Sequence, residues 1–254
     1  RWISIGPFSL QPSELAKIGI ILFLAAYISS KSREMRQWKK MVIPFLFAIP
    51  IIVIVGIENL STCIILLAIS FIMIFVATPL LVPFVVIGLI GVAGAGGLLL
   101  TQGYRMERIT VWLDPAASEK GHQTIQGLYA IGSGGLFGKG LGQSMQKLGF
   151  LPEANNDMIF SVICEELGLF GALCVLALFF ALIWRFMVIA VNAPDLYGSM
   201  IVVGVIAHIG IQVFINIAVA TNTIPNTGIP LPFISYGGSS LVFMLLEMGL
   251  VLSV

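Results

Sequence analysis

Charged residues are scarce in this sequence. Only 10% of its 254 residues are charged, and histidine occurs twice. Soluble domains carry about 25% charged residues, so a soluble domain of this length is excluded. The charges nearly cancel to a net charge of +1, and no nucleic-acid partner is predicted.

Cysteine is scarce as well. Cys63, Cys164 and Cys174 lie in apolar stretches, without C-x-x-C spacing and without a paired histidine. Metal and redox sites built on cysteine need such spacing, so both readings fail. We predict that the three are small core residues.

Hydrophobic residues dominate the composition instead. They make up 58% of the chain, and the mean hydropathy is +1.05. A helix that crosses a hydrocarbon core of about 30 Å needs about 20 apolar residues. The sequence therefore predicts an all-α, multi-pass integral membrane bundle, with residues 1–254 as a single transmembrane domain. About seven runs have the length and composition to span: 14–30, 42–56, 60–78, 82–100, 158–184, 199–220 and 234–254.

The distribution of charge predicts the orientation of these helices. The stretch SSKSREMRQWKK, residues 29–40, is rich in lysine and arginine, which marks it as cytoplasmic by the positive-inside rule. Counting helices from there puts residues 101–157 outside the cell, and residue 1 outside as well. Because the chain opens on Arg1 without a start methionine, we expect a fragment that lacks an odd number of upstream helices.

The outer segment 101–157 is far longer than a connector needs to be, and loops of that length are usually functional. Aromatic residues alternate with turn formers, so we expect short helices packed over the outer face. Its glycine-rich stretch, GSGGLFGKGLG at 132–142, lacks Walker A spacing because of Ser133 and Gly140. We interpret it as backbone that turns tightly or approaches another surface closely.

Ionisable residues inside apolar helices indicate a functional site or a buried pair. Glu14 and Lys17, in QPSELAK, share one helical face. They are interpreted either as a neutralising pair at the helix start, with Ser13 as a possible cap, or as a substrate site.

Four more ionisable residues lie at membrane depth. Glu165 and Glu166 point to different sides of one helix, and we predict structural partners for them. His208 is predicted to be a satisfied core histidine. Glu247 is predicted to belong to an interior polar seam.

Asp157 ends the polar part of LPEANNDMIF, directly before an apolar helix. The stretch NTIPNTGIPLPFISYGG, residues 222–238, combines three prolines with three glycines at a helix mouth. Broken backbone at membrane depth is tolerated only where it is buried or lines a cavity. With Glu14 and Lys17, these features predict a cleft open to the exterior and to the outer leaflet.

The sequence resembles the RodA/FtsW/SpoVE family of bacterial cell-wall proteins, also called SEDS proteins, over its whole length. The matching segments include RWISIGPFSLQPSELAK, YRMERITVWLDP, the stretch from GHQTIQGLYAIG to NNDMIFSVICEELGLFG, and NTIPNTGIPLPFISYGGSSL. The resemblance implies a bundle of about ten helices, of which this chain would hold the last seven.

The resemblance also implies a function. Family members polymerise lipid II into peptidoglycan on the outer face of the bacterial cytoplasmic membrane, together with a class B penicillin-binding protein. The essential acid of the family matches Asp157, and further motif positions match Arg1, Trp2, Glu14 and Lys17. Asn155 and Asn156 depart from the pattern, where many relatives have His and Thr, so no histidine role is assigned.

The implied chemistry assigns roles to these residues. Asp157 would be the general base that deprotonates the acceptor hydroxyl in a single inverting displacement. Cations would stabilise the pyrophosphate leaving group, and a divalent ion could replace some of them. The predicted substrate-binding residues are Trp2, Glu14, Lys17, Arg105, Arg108, Gln123, Gln126, Glu153 and Ser235.

Two other functions stay open. A lipid II flippase would need polar groups that continue to the inner face, as Glu165, Glu166 and Glu247 would allow. A scaffold that only activates its penicillin-binding partner would tolerate asparagine at position 157. The motifs do not separate roles in elongation, division and sporulation.

Overall fold

The chain is helical throughout most of its length. A computed structural model describes residues 3–5, 8–78, 85–86, 88, 103–118 and 121–254. A short antiparallel hairpin, β1 (Ile3–Ile5) and β2 (Phe8–Leu10), comes first, with Ile3 opposite Leu10. The helices are α1 Pro12–Ser30, α2 Trp38–Glu58, α3 Leu60–Ala77, α4 Gly103–Leu113, α5 His122–Gly134, α6 Ile159–Asn192, α7 Leu196–Ala220 and α8 Gly238–Leu252.

Five of the helices in the described ranges have the length and apolar composition to cross a membrane. They are α1, α2 from Lys40 onward, α3, α6 and α7. The multi-pass helical prediction is therefore confirmed. The apolar helix α8 is shorter, and most of the predicted span 82–100 lies outside the described residues.

The predicted outer segment contains two short helices, α4 and α5, as expected, and a 3-10 turn at Gln146–Leu148. Helix α2 continues through Pro44 and Pro50. Internal prolines are tolerated in membrane helices because neighbouring groups satisfy the backbone that they leave free.

The predicted cap at the start of α1 is wrong. The N-cap residue is Gln11, whose side chain makes no capping hydrogen bond, and the buried Ser13 hydroxyl has no partner within the described part of the chain. Pro12 occupies the first turn instead, where its missing N–H costs nothing and its fixed φ suits a helix.

The described chain divides into two compact units. The first comprises the described residues of Arg1–Leu89, Leu182–Ile211 and Gly237–Val254, and the second those of Ile90–Ala181 and Gln212–Tyr236. A single transmembrane domain therefore stays a prediction.

A glycine sets the packing within the first unit. A Cβ added to Gly204 of α7 would lie 2.6 Å from Cγ2 of Ile21 in α1 and 3.0 Å from the sulfur of Met73 in α3. Ile21 and Met73 are themselves fully buried. Because interiors are close-packed, no larger residue fits position 204 without displacing one of these side chains.

Helix α6 is broken near its start in the second unit. Gly168 has φ 67° and ψ −168°, a conformation open in practice only to glycine. The glycine-rich stretch packs against this break, since a Cβ on Gly138 would lie 2.1 Å from the carbonyl oxygen of Glu166. Both predictions for the stretch are confirmed, because four of its glycines also have positive φ: Gly135, Gly138, Gly140 and Gly142.

The two acidic residues beside the break have structural partners, as predicted. Lys139 Nζ donates to Glu165 at 2.7 Å, and Ser144 Oγ donates to the same carboxylate at 2.5 Å. Lys147 Nζ donates to Glu166 at 2.5 Å. These pairs anchor the loop after α5 to the first turns of α6.

Candidate functional site

Asp157 lies in the second unit, in the turn that precedes α6. Its residue is only 7% exposed. Burial raises its pKa from 3.8 to about 6, and the nearby Glu153 charge adds to this rise. A hydrogen bond from its own backbone N–H opposes the rise most, followed by Gln123 and Arg108. A carboxylate in this state is ionised at neutral pH and still basic enough to accept a proton.

A cleft of about 370 Å³ opens beside this carboxylate. Its volume falls in the range of about 300–1,000 Å³ that is typical of sites for small molecules. Helices α4 and α5 contribute one wall, and the turn before α6 and the loop after α7 contribute the rest. The lining residues are Glu107, Arg108, Val111, Trp112, Gln123, Thr124, Glu153, Asp157, Asn222, Asn226 and Gly228.

A chain of hydrogen bonds runs across the cleft to Asp157. Arg108 donates to the carbonyl oxygen of Asn226 at 3.1 Å, and the Asn226 amide donates to Oε1 of Gln123 at 3.0 Å. Gln123 Nε2 then lies 3.4 and 3.5 Å from the two carboxylate oxygens of Asp157. Because Oε1 of Gln123 accepts from Asn226, its amide nitrogen is directed toward the carboxylate.

The loop after α7 leaves room at the carboxylate. Gly228 has a φ of 67°, and a Cβ built there would lie 4.0 Å from Oδ2 of Asp157. The Trp112 indole donates to the carbonyl oxygen of Asn222 at 3.0 Å, which ties α4 to the same loop.

Asn216 of α7 holds the backbone on both sides of the site. Its amide nitrogen donates at 2.8 Å to the carbonyl oxygen of Asp157 and at 2.8 Å to that of Ile229. The residue is 1% exposed. Sequence reasoning missed Asn216, although His208, Gln212 and Asn216 follow one another at intervals of four and form one polar stripe on α7.

Ser235, predicted to bind substrate, has partners within the protein. Its hydroxyl donates to the carbonyl oxygen of Asn156 at 2.6 Å and accepts from the N–H of Leu231 at 2.7 Å. The N–H of Tyr236 donates to the carbonyl oxygen of Asn155 at 2.8 Å. These bonds fasten the loop to the Asp157 turn, and Ser235 does not line the cleft.

The other predicted substrate residues of this region differ in position. Arg108, Gln123 and Glu153 line the cleft, whereas Gln126 does not. Glu153 has a φ of 54° and accepts a hydrogen bond from the Asn156 amide. Trp2 and the side chain of Arg105 lie outside the described part of the structure.

Glu14 and Lys17 belong to a separate buried cluster in the first unit. Lys17 Nζ lies 2.8 Å from Glu14 Oε1 and 3.0 Å from Nε2 of His208. His208 Nδ1 lies 2.9 Å from the carboxylate of Glu247. The Lys17 ammonium can only donate, so Nε2 of His208 is the acceptor. The ring hydrogen of His208 is then on Nδ1, which donates to the carboxylate of Glu247. The core-histidine prediction is confirmed, and Glu14 and Lys17 are not among the cleft-lining residues.

The described residues contain no group of three or more His, Cys, Asp or Glu side chains placed to hold a metal ion. The carboxylates that line the cleft are therefore not assigned as a ligand set. A role for a divalent ion stays a prediction that rests on the leaving-group chemistry alone.

Comparison with known proteins gives a consistent result. The family model of FtsW, RodA and SpoVE, described as cell cycle protein, matches residues 1–254. Stage V sporulation protein E of Bacillus subtilis (strain 168) is 48% identical over 259 residues, covering 100% of this chain and 70% of that protein. A probable peptidoglycan glycosyltransferase FtsW of Geobacter sp. (strain M18) is 36% identical, with 100% and 70% covered.

Solved structures share the fold. A chain from a peptidoglycan synthase complex that coordinates polymerization and crosslinking superposes with a TM-score of 0.78 at 28% identity, over 99% of this chain and 71% of that chain. The rod shape determining protein RodA of Thermus thermophilus superposes with a TM-score of 0.68 at 30% identity, over 99% and 67%.

Proposed function

This chain belongs to the FtsW/RodA/SpoVE family, and we propose that it is a peptidoglycan glycosyltransferase that joins lipid II units into glycan strands. The observation that carries the site assignment is the buried Asp157 carboxylate, with a pKa of about 6, at the wall of a cleft of about 370 Å³.

Asp157 acts as the general base. The hydroxyl oxygen of the acceptor sugar attacks the anomeric carbon of the donor as Asp157 takes the hydroxyl proton. The bond between the anomeric carbon and the pyrophosphate oxygen breaks, and the electron pair leaves with the pyrophosphate. Because one displacement inverts the anomeric configuration, one base is sufficient and no covalent nucleophile is required.

Arg108 is the strongest candidate among the predicted cations to stabilise the leaving pyrophosphate. It lines the cleft, and its positive charge already acts on Asp157. A guanidinium holds phosphate oxygens through two parallel donors. Lys17 has its ammonium engaged by Glu14 and His208, which weakens its candidacy for direct contact.

Gln123 orients the base. Its amide nitrogen faces both oxygens of Asp157, and Asn226 fixes which end of the amide points there. Fixed dipoles that need no reorganisation during reaction are a major source of catalysis. Gln123 therefore acts as a positioning residue for the carboxylate.

We place the active site on the outer face of the bacterial cytoplasmic membrane, beside a class B penicillin-binding partner. The positive-inside count supports the orientation. The likeness to a chain of a complex that coordinates polymerization and crosslinking supports the partner.

A flippase gains little support from the described residues. The acidic groups that would favour it have partners within the protein: Glu165 with Lys139 and Ser144, and Glu166 with Lys147. Glu247 accepts from His208. None of the three is left to offer a polar path to a passing headgroup.

Polymerisation of lipid II by the purified full-length protein, with its partner present, tests the proposal. Asp157→Asn keeps the shape of the side chain and removes the base, so we expect the rate to fall by about 100-fold or more. Lipid II binding, followed by fluorescence anisotropy, should change little. Polymer made at the wild-type rate would favour the scaffold function instead.

Asp114→Asn is the matched control. Asp114 lies at the end of α4, is exposed and accepts from the N–H of Ala117 at 3.2 Å. Asparagine retains that acceptor, and Asp114 does not line the cleft. The same chemical change at this position should leave the polymerisation rate within about twofold of wild type, as surface substitutions usually do.

A further inference from the structure

The loop that follows α5, residues 135–150, completes the hydrogen bonding of the broken helix α6. In a continuous helix the carbonyl of each residue accepts from the N–H four positions later. Here the carbonyl of Glu165 accepts from the N–H of Lys139 at 2.9 Å, and that of Glu166 accepts from the N–H of Gly140 at 2.9 Å. We call residues 135–150 the interface loop.

The N–H groups beyond the break are satisfied in the same way. Leu169 donates to the carbonyl oxygen of Gly135 at 2.9 Å, and Phe170 donates to that of Leu136 at 3.0 Å. Two helical bonds are thus exchanged for four bonds to the loop. Such complete internal pairing is what the hydrocarbon region demands of irregular backbone. The interface loop is therefore held at the depth of Gly168.

Counting along α6 gives that depth. Trp184 and Arg185 are exposed, and an exposed Trp beside Arg marks a membrane interface. From Trp184 back to Leu169, the first residue beyond the break, is 16 residues, or about 24 Å at 1.5 Å per residue, against about 30 Å for a hydrocarbon core. The break at Gly168 then lies within about 6 Å of the opposite edge of the core.

Most of the exposed side chains of the interface loop are apolar, and Lys139 and Gln143 are the exposed polar ones. Its large exposed side chains are Leu136, Phe137, Leu141, Met145, Leu148 and Phe150, with Phe137 81% and Leu141 77% exposed. Its two cations are neutralised by buried or half-buried acids, Lys139 by Glu165 and Lys147 by Glu166, although the Lys139 side chain stays 36% exposed. Outside a membrane, a cluster of this kind would be a large exposed apolar patch.

We propose that the interface loop inserts its apolar side chains into the lipid at one membrane surface. The exposed Leu173 and Leu178 continue this apolar surface along α6, so the lipid that surrounds the helix also meets the loop. Amphipathic helices that lie in the membrane interface bury their apolar face about 5–10 Å into the headgroup and acyl boundary, and we expect a similar depth for this loop. The insertion itself does not depend on catalysis.

A consequence rests on the proposed function. The Asp157 turn begins at Leu151, directly after the interface loop, and the N–H of Leu151 donates to the carbonyl of Gln146 at 2.8 Å. Insertion of the loop thus holds the base at the level where a lipid-linked pyrophosphate emerges from the bilayer. The loop would position the cleft along the membrane normal.

Site-directed fluorescence with quencher lipids tests the insertion. Phe137→Cys and Leu148→Cys are labelled with an environment-sensitive dye in a Cys174→Ala background. The prediction of a core position is confirmed for Cys63 and Cys164, which are buried, and is wrong for Cys174, which is exposed. The protein is reconstituted alone into phosphatidylethanolamine–phosphatidylglycerol vesicles that carry nitroxide lipids. Leu178→Cys, on the lipid-facing side of α6, is the positive control, and exposed Ala117→Cys is the negative control.

We expect lipids with the nitroxide near the headgroup to quench both loop labels at least about threefold more than the Ala117 label, as shallow insertion requires. Lipids with the nitroxide deep in the acyl chain should instead quench the label at position 178 more strongly than the two loop labels. Quenching at both loop positions no greater than at position 117 would overturn the proposal. So would labels shielded only after a partner protein is added, because the apolar side would then be a protein interface.

Two measurements separate insertion from folding and from function. Each labelled protein must elute as a single species, and Leu141→Cys tests the same loop if Phe137→Cys does not fold. Quenching repeated on the Asp157→Asn variant should be unchanged, since the carboxylate lies outside the interface loop. If Asp157 proved not to be the base, the evidence for insertion of the loop would be unaffected. If the loop proved not to insert, the evidence for Asp157 as the base would likewise be unaffected.

Discussion

The environment of Asp157 balances two needs of a general base. Ionisation at neutral pH requires a low pKa, whereas proton affinity requires a high one, and the best value lies near the working pH. Burial moves the pKa of this carboxyl from 3.8 to about 6, while its own backbone N–H and, to a smaller extent, Gln123 and Arg108 keep the pKa from rising further. The backbone N–H and the two polar partners together preserve the ionised form inside a desolvated site.

The pH dependence of polymerisation should report this pKa. Below about 6 the carboxyl is protonated in the folded protein and cannot accept a proton, so the rate should fall about tenfold per pH unit. Above that value the rate should level off. Initial rates at lipid II concentrations well below KM measure the profile, since kcat/KM reports the pKa of the free enzyme. A rate independent of pH through this range contradicts the assignment.

The contribution of Asp157 to stability should change in the opposite sense to activity. Because the folded pKa of Asp157 lies above the unfolded one, this contribution falls as pH rises from about 4 to about 6, by on the order of 3 kcal/mol. Asp157→Asn removes this penalty, so its thermal unfolding above pH 6 should be no earlier than that of wild type. The comparison of thermal unfolding shows whether a fall in rate at low pH could result from unfolding of the protein rather than from protonation of Asp157.

Asn216 should behave as a positioning residue. Asn216→Leu leaves the carbonyls of Asp157 and Ile229 without their donor, at about 1–3 kcal/mol for each buried group. We expect the polymerisation rate to fall about tenfold or more as the base shifts, with a smaller change in lipid II affinity.

Two readouts distinguish this role from a purely structural one. The pH midpoint of the rate should move in Asn216→Leu, since the surroundings of the carboxyl change. Asn216→Gln keeps an amide donor and should recover part of the rate. Equal losses of rate and affinity in both variants, with an unmoved midpoint, would falsify the positioning role.

Helix α6 shows how one glycine shapes a whole element. Gly168 breaks the helix, and the loop with Gly138 enters so closely that a Cβ on Gly168 would lie 2.3 Å from the nitrogen of Gly138. Backbone atoms on both sides leave no flexible side chain to move aside. The break, the loop and the turn that carries Asp157 are therefore coupled.

Gly168→Ala should destabilise the protein by more than about 1–3 kcal/mol, because the backbone conformation is strained for alanine and the Cβ meets the loop backbone. Gly132→Ala in α5 is the matched control. Nothing lies within 4 Å of a Cβ at Gly132. There alanine should be neutral or stabilise the helix by about 0.5–1 kcal/mol. Thermal unfolding in detergent measures both, and equal effects would contradict the account of the break.

Hydropathy predicted the elements better than their interruptions. The predicted runs 14–30 and 60–78 correspond to Pro12–Ser30 and Leu60–Ala77. The run 158–184 corresponds to the much longer Ile159–Asn192, and its break at Gly168 was not foreseen. Apolar composition shows which segments are buried in lipid. The break at Gly168 instead depends on the interface loop, about 30 positions earlier in the chain, which supplies the missing backbone hydrogen bonds.

The sequence predicted the fold class of the molecule, but it predicted only some of the residues around Asp157. Composition indicated a membrane bundle, and contiguous motifs indicated the family and Asp157. The contact of Asn216 with Asp157 joins positions 59 residues apart, and that of Asn226 with Gln123 joins positions 103 apart. A single sequence carries no record of such pairs. The predicted convergence of Glu14 and Lys17 with Asp157 stays a prediction, since the two groups belong to different units.

Orientation in the membrane follows from the loop between α1 and α2. Glu34 pairs with Lys31 and Lys40 at 3.1 and 3.2 Å, yet the loop keeps an excess of positive charge. Cytoplasmic loops carry that excess, so a cysteine in place of the exposed Ser32 should react with a membrane-impermeant maleimide only after permeabilisation. Ala117→Cys should react in cells whose inner membrane is intact. The reverse pattern would place the Asp157 cleft on the cytoplasmic side, where polymerisation of an exported precursor is impossible, and the proposed function would fall with it.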